Sequence, residues 1–181
     1  SCTYQMTFVP DDNFEQALIN LGLDDVLDDS VFTASIDTVT SLYLQQLNIL
    51  DITGIEDFNL LRVLYCQNNP PLALSSINLS NNYFLEELVL SDNLLTSLDI
   101  SNNLNLTYLN FAGNLISNIN VDQHANLRHL ECHVNQLTSI NVSNNINLIS
   151  LNTHGNNIST IDLSNNHNLE ILNVANQPIL S

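Results

Sequence analysis

The chain is written in repeats. From Leu85 onward each unit has the form L-x-x-L-x-L-x-x-N-x-L-x-x-I-x-V-S-x-N, and successive units begin at Val39, Leu61, Leu85, Leu106, Leu127, Leu148 and Leu169. The offsets are 22, 24, 21, 21, 21 and 21 residues, the early irregularity being one three-residue insertion around Pro70–Leu74. A fixed period of this length marks an architecture of stacked units, none of which can bury its apolar side alone. Inside each unit the L-x-L segment (Leu88/Leu90, Leu109/Phe111, Leu130/Cys132, Leu151/Thr153) alternates with a period of two, which predicts a short strand with one buried face. A second apolar pair follows (Ile77/Leu79, Leu98/Ile100, Ile119/Val121, Ile140/Val142, Ile161/Leu163) and predicts another extended segment, because the unit leaves no room for a helix. Ser-Asn-Asn runs at Ser80, Ser101, Ser143 and Ser164 then predict the turns back toward the next strand.

About thirty of the 181 residues are Asn, an excess that needs a structural cause. The Asn at each strand end (Asn69, Asn93, Asn114, Asn135, Asn156) is predicted to turn inward and bond backbone groups freed where the chain leaves the strand. Stacking would align these amides as a ladder.

The signature followed over residues 39–176, seen cleanly in Leu106-Thr-Tyr-Leu-Asn-Phe-Ala-Gly-Asn114 and Leu127-Arg-His-Leu-Glu-Cys-His-Val-Asn135, resembles the leucine-rich repeat. The resemblance implies an α/β-type repeat solenoid, mostly β and right-handed, whose parallel sheet runs through about seven coils over residues 39–181. Residues 1–38 break the period and are expected to form an N-terminal helical cap sealing the end of the core. Its helix is predicted from Asp12 to Gly22, with Asp12 as N-cap, Glu15 completing a capping box, and Phe14, Ala17, Leu18 and Leu21 on one face. The stretch from Val9 to Asp29, together with the recurring Ser-Asn-Asn runs, is similar to secreted or surface leucine-rich-repeat proteins of flavobacterial type. That similarity implies a bacterial secreted or cell-surface location. In that group a C-terminal sorting domain often follows the repeats, so the stop at Ser181 without an apolar cap predicts truncation from a longer protein.

Charge limits the partners. Nineteen Asp and Glu stand against two cations, Arg62 and Arg128, for a net charge of −17, which excludes the clustered basic footprint needed for nucleic acid or anionic lipid. No apolar run approaches the ~20 residues that insert across a bilayer. Three cysteines cannot form a complete set of intrachain disulfides; Cys66 and Cys132 fall at apolar positions and read as buried free thiols, while Cys2 stands alone near the start.

The residues flanking each L-x-L should stand out from the sheet, and in leucine-rich-repeat proteins the concave sheet face is the usual contact surface for partners. Tyr43, Tyr65, Tyr108, His129, Glu131, His133 and His154 are therefore the candidate binding residues, with chemistry suited to protein hot spots or to stacking on sugar rings. Plain solvated β-formers are the alternative account. His129-Leu-Glu-Cys-His133 superficially matches a two-His metal motif, but on a strand these histidines sit about 13 Å apart, too far for one ion. His133 and His154, equivalent in adjacent coils, form the weaker metal candidate, against a pair of solvated imidazoles. Asp24, Asp25, Asp28 and Asp29 do not follow the calcium-loop order, and solvation of an acidic face accounts for them. No nucleophile elbow, phosphate loop or catalytic triad motif occurs, and no cofactor is implied. The expectation is a non-catalytic extracellular recognition or adhesion module that binds a protein through its concave sheet. A surface polysaccharide as ligand, or a rigid spacer role, are the alternatives.

Overall fold

The computed structural model describes residues 5–67 and 73–175. Strands β1 (Met6–Phe8) and β2 (Ser30–Phe32) pair antiparallel and flank helix α1 (Asp12–Asn20); the short helix α2 (Thr33–Ile36) follows. Then come seven three-residue strands: β3 (Ser41–Tyr43), β4 (Val63–Tyr65), β5 (Glu87–Val89), β6 (Tyr108–Asn110), β7 (His129–Glu131), β8 (Ser150–Asn152) and β9 (Ile171–Asn173). They form one parallel sheet in strict chain order. Its register sets Leu42, Leu64, Leu88, Leu109, Leu130, Leu151 and Leu172 in a single row. The first six of these leucines are fully buried; Leu172, in the last described strand, is exposed.

The core is one continuous cluster. Val9, Phe14, Leu18, Val31 and Ile36 join the same buried body as the sheet leucines, and Phe14 stacks on Phe58 with ring centroids 6.3 Å apart. The expected partner of each strand, the second apolar pair, is buried at Leu98, Ile100, Ile119, Val121, Ile140 and Val142. These residues line the core without pairing into strands, and the sheet occupies one side only.

The amide ladder exists. Asn114 donates through Nδ2 to Leu90 O of the preceding coil and to Phe111 O of its own, both at 2.9 Å, and accepts through Oδ1 from Leu95 N at 2.9 Å. Asn93, Asn135 and Asn156 repeat the pattern, all buried. Each side chain thus satisfies backbone groups on two coils at once, where an apolar residue would strand them. Asn69 lies outside the described residues, as does Cys2.

A second buried ladder runs where the sequence predicts only turns. Asn82, Asn103, Asn145 and Asn166 point inward from the Ser-Asn-Asn runs, and Asn145 Nδ2 donates to Val121 O and His124 O of the preceding coil, both at 2.9 Å. Asn103, two coils earlier, and Asn166, one coil later, do the same. In the one coil that reads Asp-Gln-His, the ring of His124 takes this place, with Nε2 3.1 Å from Ile100 O.

Helix α1 corrects the expected cap. Asp11, not Asp12, is the N-cap: its backbone is extended (φ −93°, ψ 112°) and Oδ1 accepts from Asn13 N and Phe14 N. Its Oδ2 accepts from Leu50 N and Asp51 N, fastening the helix to the first repeat, which an N-cap one residue later would not do. Glu15 closes no capping box, since its Oε1 accepts from Asp28 N and Ser30 N. The helix stops at Asn20, short of the expected Gly22; Gly22 lies just past its C-cap Leu21, where a φ of +73° permits Leu23 N to reach back to Leu18 O. Leu21 is exposed, so the buried face comprises Phe14, Ala17 and Leu18.

Candidate functional site

Register makes the candidate surface. Residues on either side of the central leucine row stand out from the sheet, giving one row through Ser41, Val63, Glu87, Tyr108, His129, Ser150 and Ile171. A parallel row runs through Tyr43, Tyr65, Val89, Asn110, Glu131, Asn152 and Asn173. All seven candidate residues occupy this face or its C-terminal margin. They fall into two zones.

The first zone is aromatic. Tyr43 and Tyr65 meet edge to face, ring centroids 5.3 Å apart at 69°, and Tyr43 is 57% exposed. Tyr65 is half-buried, and its hydroxyl donates to Glu87 Oε2 at 2.8 Å. Burial, and then the hydrogen bond to Glu87 with that carboxylate's charge, push the Tyr65 phenol up to about 12. Tyr108 tilts against His129 at 5.8 Å and 40°, and burial raises its phenol as well. Glu87 was visible in the row but had no chemistry of its own to single it out; its part is to fix the Tyr65 ring.

The second zone is polar. His133 Nδ1 lies 3.0 Å from Asn152 Nδ2 and 3.5 Å from Glu131 Oε2. Ser150 Oγ donates to the other Glu131 oxygen at 3.4 Å. His154 joins the same network through its backbone N–H, which donates to Asn152 Oδ1, and its Nδ1 lies 3.0 Å from Ala175 O. The histidines are therefore tied to amide, carboxylate and carbonyl groups, and the Ser150 hydroxyl is tied to a carboxylate.

The two cations lie off this face. Arg62 and Arg128 immediately precede their strands; Arg62 pairs with Glu86 and sits over the Phe84 ring at 6.0 Å from its centroid. Arg128 lines an open groove on that flank together with Thr107, Ile149 and Glu170. With no Lys in the chain, the fixed charges among the candidate residues and their partners are the carboxylates of Glu87 and Glu131.

No protein-family model and no curated protein matches the sequence. Solved structures do. The chain is similar to the functional domain of InlJ from Listeria monocytogenes, which includes a cysteine ladder, at 26% identity over 98% of this chain and 49% of that one, with a TM-score of 0.62. It is similar to a leucine-rich-repeat protein of Leptospira interrogans (22% identity, 78% of this chain and 38% of that one, TM-score 0.67). Internalin C2 of Listeria monocytogenes superposes with a TM-score of 0.54 over 96% of this chain and 99% of that one, at 19% identity. The repeat signature, the in-register parallel sheet and these likenesses agree. The chain is a leucine-rich-repeat protein.

It spans about half the length of the InlJ domain and 38% of the Leptospira chain. Among the described residues, Cys66 and Cys132 are buried and share one core column, with Leu90 and Phe111 between them. Burial, reinforced by the charge of Glu131, pushes the Cys132 thiol up, consistent with a small apolar filler. No helix among the described residues of this leucine-rich-repeat chain is long and apolar enough to cross a membrane.

Proposed function

We propose that this leucine-rich-repeat chain is a non-catalytic recognition module whose exposed sheet face binds a protein partner with a basic surface. The observation that carries the reading is the pairing of rings and carboxylates on that face: Tyr43 with Tyr65, Tyr108 with His129, and Glu87 and Glu131 beside them. Rigid aromatic side chains bring large contact area at small entropic cost, which is how hot spots are built. An acidic surface on a chain of net charge −17 steers a cationic partner and repels an anionic one. A polysaccharide fits less well. Sugar stacking uses open ring faces lying along the surface, whereas Tyr43 and Tyr65 meet edge to face and Tyr65 is tethered by its hydroxyl. The similarity of the N-terminal stretch to secreted and surface proteins of flavobacterial type supports a place outside a bacterial cell, in an adhesive or signalling role.

The test pairs two measurements on the chain and its Tyr43→Ala/Tyr108→Ala variant. Affinity capture at low and high salt should retain a basic protein with the parent chain at low salt only, and lose it with the variant; a glycan array should stay blank. Binding of a glycan that the variant abolishes would replace this reading with carbohydrate recognition.

A further inference from the structure

The N-terminal region holds a group of acids that includes a buried carboxylate oxygen with no hydrogen-bond donor. Carboxylate oxygens of Asp12, Glu15 and Asp29 lie within 4.8 Å of one another, and among the described residues this is the one group of three or more ligand-type side chains so close. Proximity of acids alone is common on a chain of this charge. Glu15 is different: it is fully buried in the core-facing turn of α1, and its Oε2 has no hydrogen-bond donor. The other oxygen, Oε1, already accepts two backbone N–H groups, from Asp28 at 3.0 Å and Ser30 at 2.9 Å, so the carboxylate is held in place with one lone-pair edge unsatisfied. A buried carboxylate with one open oxygen, faced by two further carboxylates, presents a cation with three anionic donors at one place. Neither Arg62 nor Arg128 serves: Arg62 pairs with Glu86 and Arg128 lines the groove with Glu170. Asp24 belongs to the same neighbourhood, with Oδ2 buried and unpartnered; burial, and behind it the charge of Glu15, raise its carboxyl.

We infer that Asp12, Glu15 and Asp29 form a binding site for a hard divalent cation, calcium by preference. The donors are all carboxylate oxygens, the set that calcium and magnesium take. Three protein carboxylates converging on one place suit calcium, which takes flexible all-oxygen sets, better than magnesium, which keeps several waters and binds through one or two carboxylates. The ion would tie the first turn of α1 to the segment leading into β2, two elements that Glu15 Oε1 already joins. Of the four acids that the sequence brings forward as a calcium cluster, Asp29 alone belongs to the set; the other two ligands come from the helix, where an Asp-x-x-Glu spacing reads as capping chemistry.

The full chain, stripped with chelator and returned to buffer of physiological salt, is titrated with calcium chloride by calorimetry and by thermal melting. One ion per chain and a saturable rise of about 5 °C in Tm are expected, with a smaller rise for magnesium chloride. Asp12→Asn and Asp29→Asn, both at exposed positions, should keep the circular dichroism of the parent and lose the rise. Absence of saturable calcium binding to the parent chain, or an equal rise in parent and variants, overturns the site; the latter result would mark general screening of the acidic charge. The sheet face takes no part in this titration, so its outcome is independent of partner binding.

Discussion

Val134 and Gly155 sit at the same point of successive coils, and both backbones are left-handed, at φ +53° and +66°. Asp92 and Gly113 occupy the equivalent points at +56° and +65°. The column is the sharp bend by which each coil leaves its strand and presents the ladder Asn that follows. Glycine adopts this conformation freely, whereas a β-branched residue is strained there. Replacing Val134, half-exposed and contributing little to the core, by Gly should raise stability by about 1 kcal/mol, net of the entropy that Gly adds to the unfolded chain. Gly113→Ala should act oppositely, because alanine is strained at φ +65° and its Cβ, 2.5 Å from Asp92 Oδ1, would push that carboxylate aside. Thermal melts of the two variants check both signs.

The Asn ladder makes a second prediction. Asn114→Ala strips Leu95 N of its acceptor and takes one of two amide donors each from Leu90 O and Phe111 O in the buried bend, at a cost of about 2–3 kcal/mol. His124→Asn should move stability the other way or leave it level. An amide in that place would reach Ile100 O as the ring does, and a second carbonyl as Asn103 and Asn145 do. Urea denaturation of the two variants measures the difference.

These ladders also mark the boundary of what the sequence discloses. Strand positions, register and the first Asn row follow directly from the 21-residue period, because equivalent residues of stacked units become neighbours. The second row was equally periodic at Asn82, Asn103, Asn145 and Asn166, but Asn-Asn in a turn already has an adequate local explanation, and only closure of the coil shows that the second Asn faces inward. Asp11, Asp12 and Asn13 are all competent N-caps; the choice falls to Asp11 through its long-range bonds to Leu50 N and Asp51 N, which no local pattern encodes. At the candidate site, the rows of Tyr43, Tyr65, Tyr108 and His129 were legible from register. The tether from Tyr65 to Glu87 and the binding of His133 to Asn152 depend on side-chain rotamers, which the repeat does not dictate.

Tyr65 offers a prediction in pH. Its phenol holds its proton up to about 12 in the folded chain, against about 10 when unfolded. The folded state therefore binds this proton more tightly, and the associated stability is fully present below pH 10 and is lost as pH rises from about 10 toward 12. Tyrosinate absorbance should show Tyr65 ionising late, a step that disappears in Tyr65→Phe and moves to lower pH in Glu87→Gln.

The proposed role requires that the sheet face, and no other face, make the contact with a partner. The direct measurement is the affinity of the captured partner for the parent chain, for Tyr43→Ala/Tyr108→Ala, and for Tyr83→Ala, the last being an exposed tyrosine in the turn before β5, off the sheet. Loss of ten-fold or more in the first variant with an unchanged Kd in the second is the predicted result. Equal affinity for all three chains, or a loss confined to Tyr83→Ala, would contradict it.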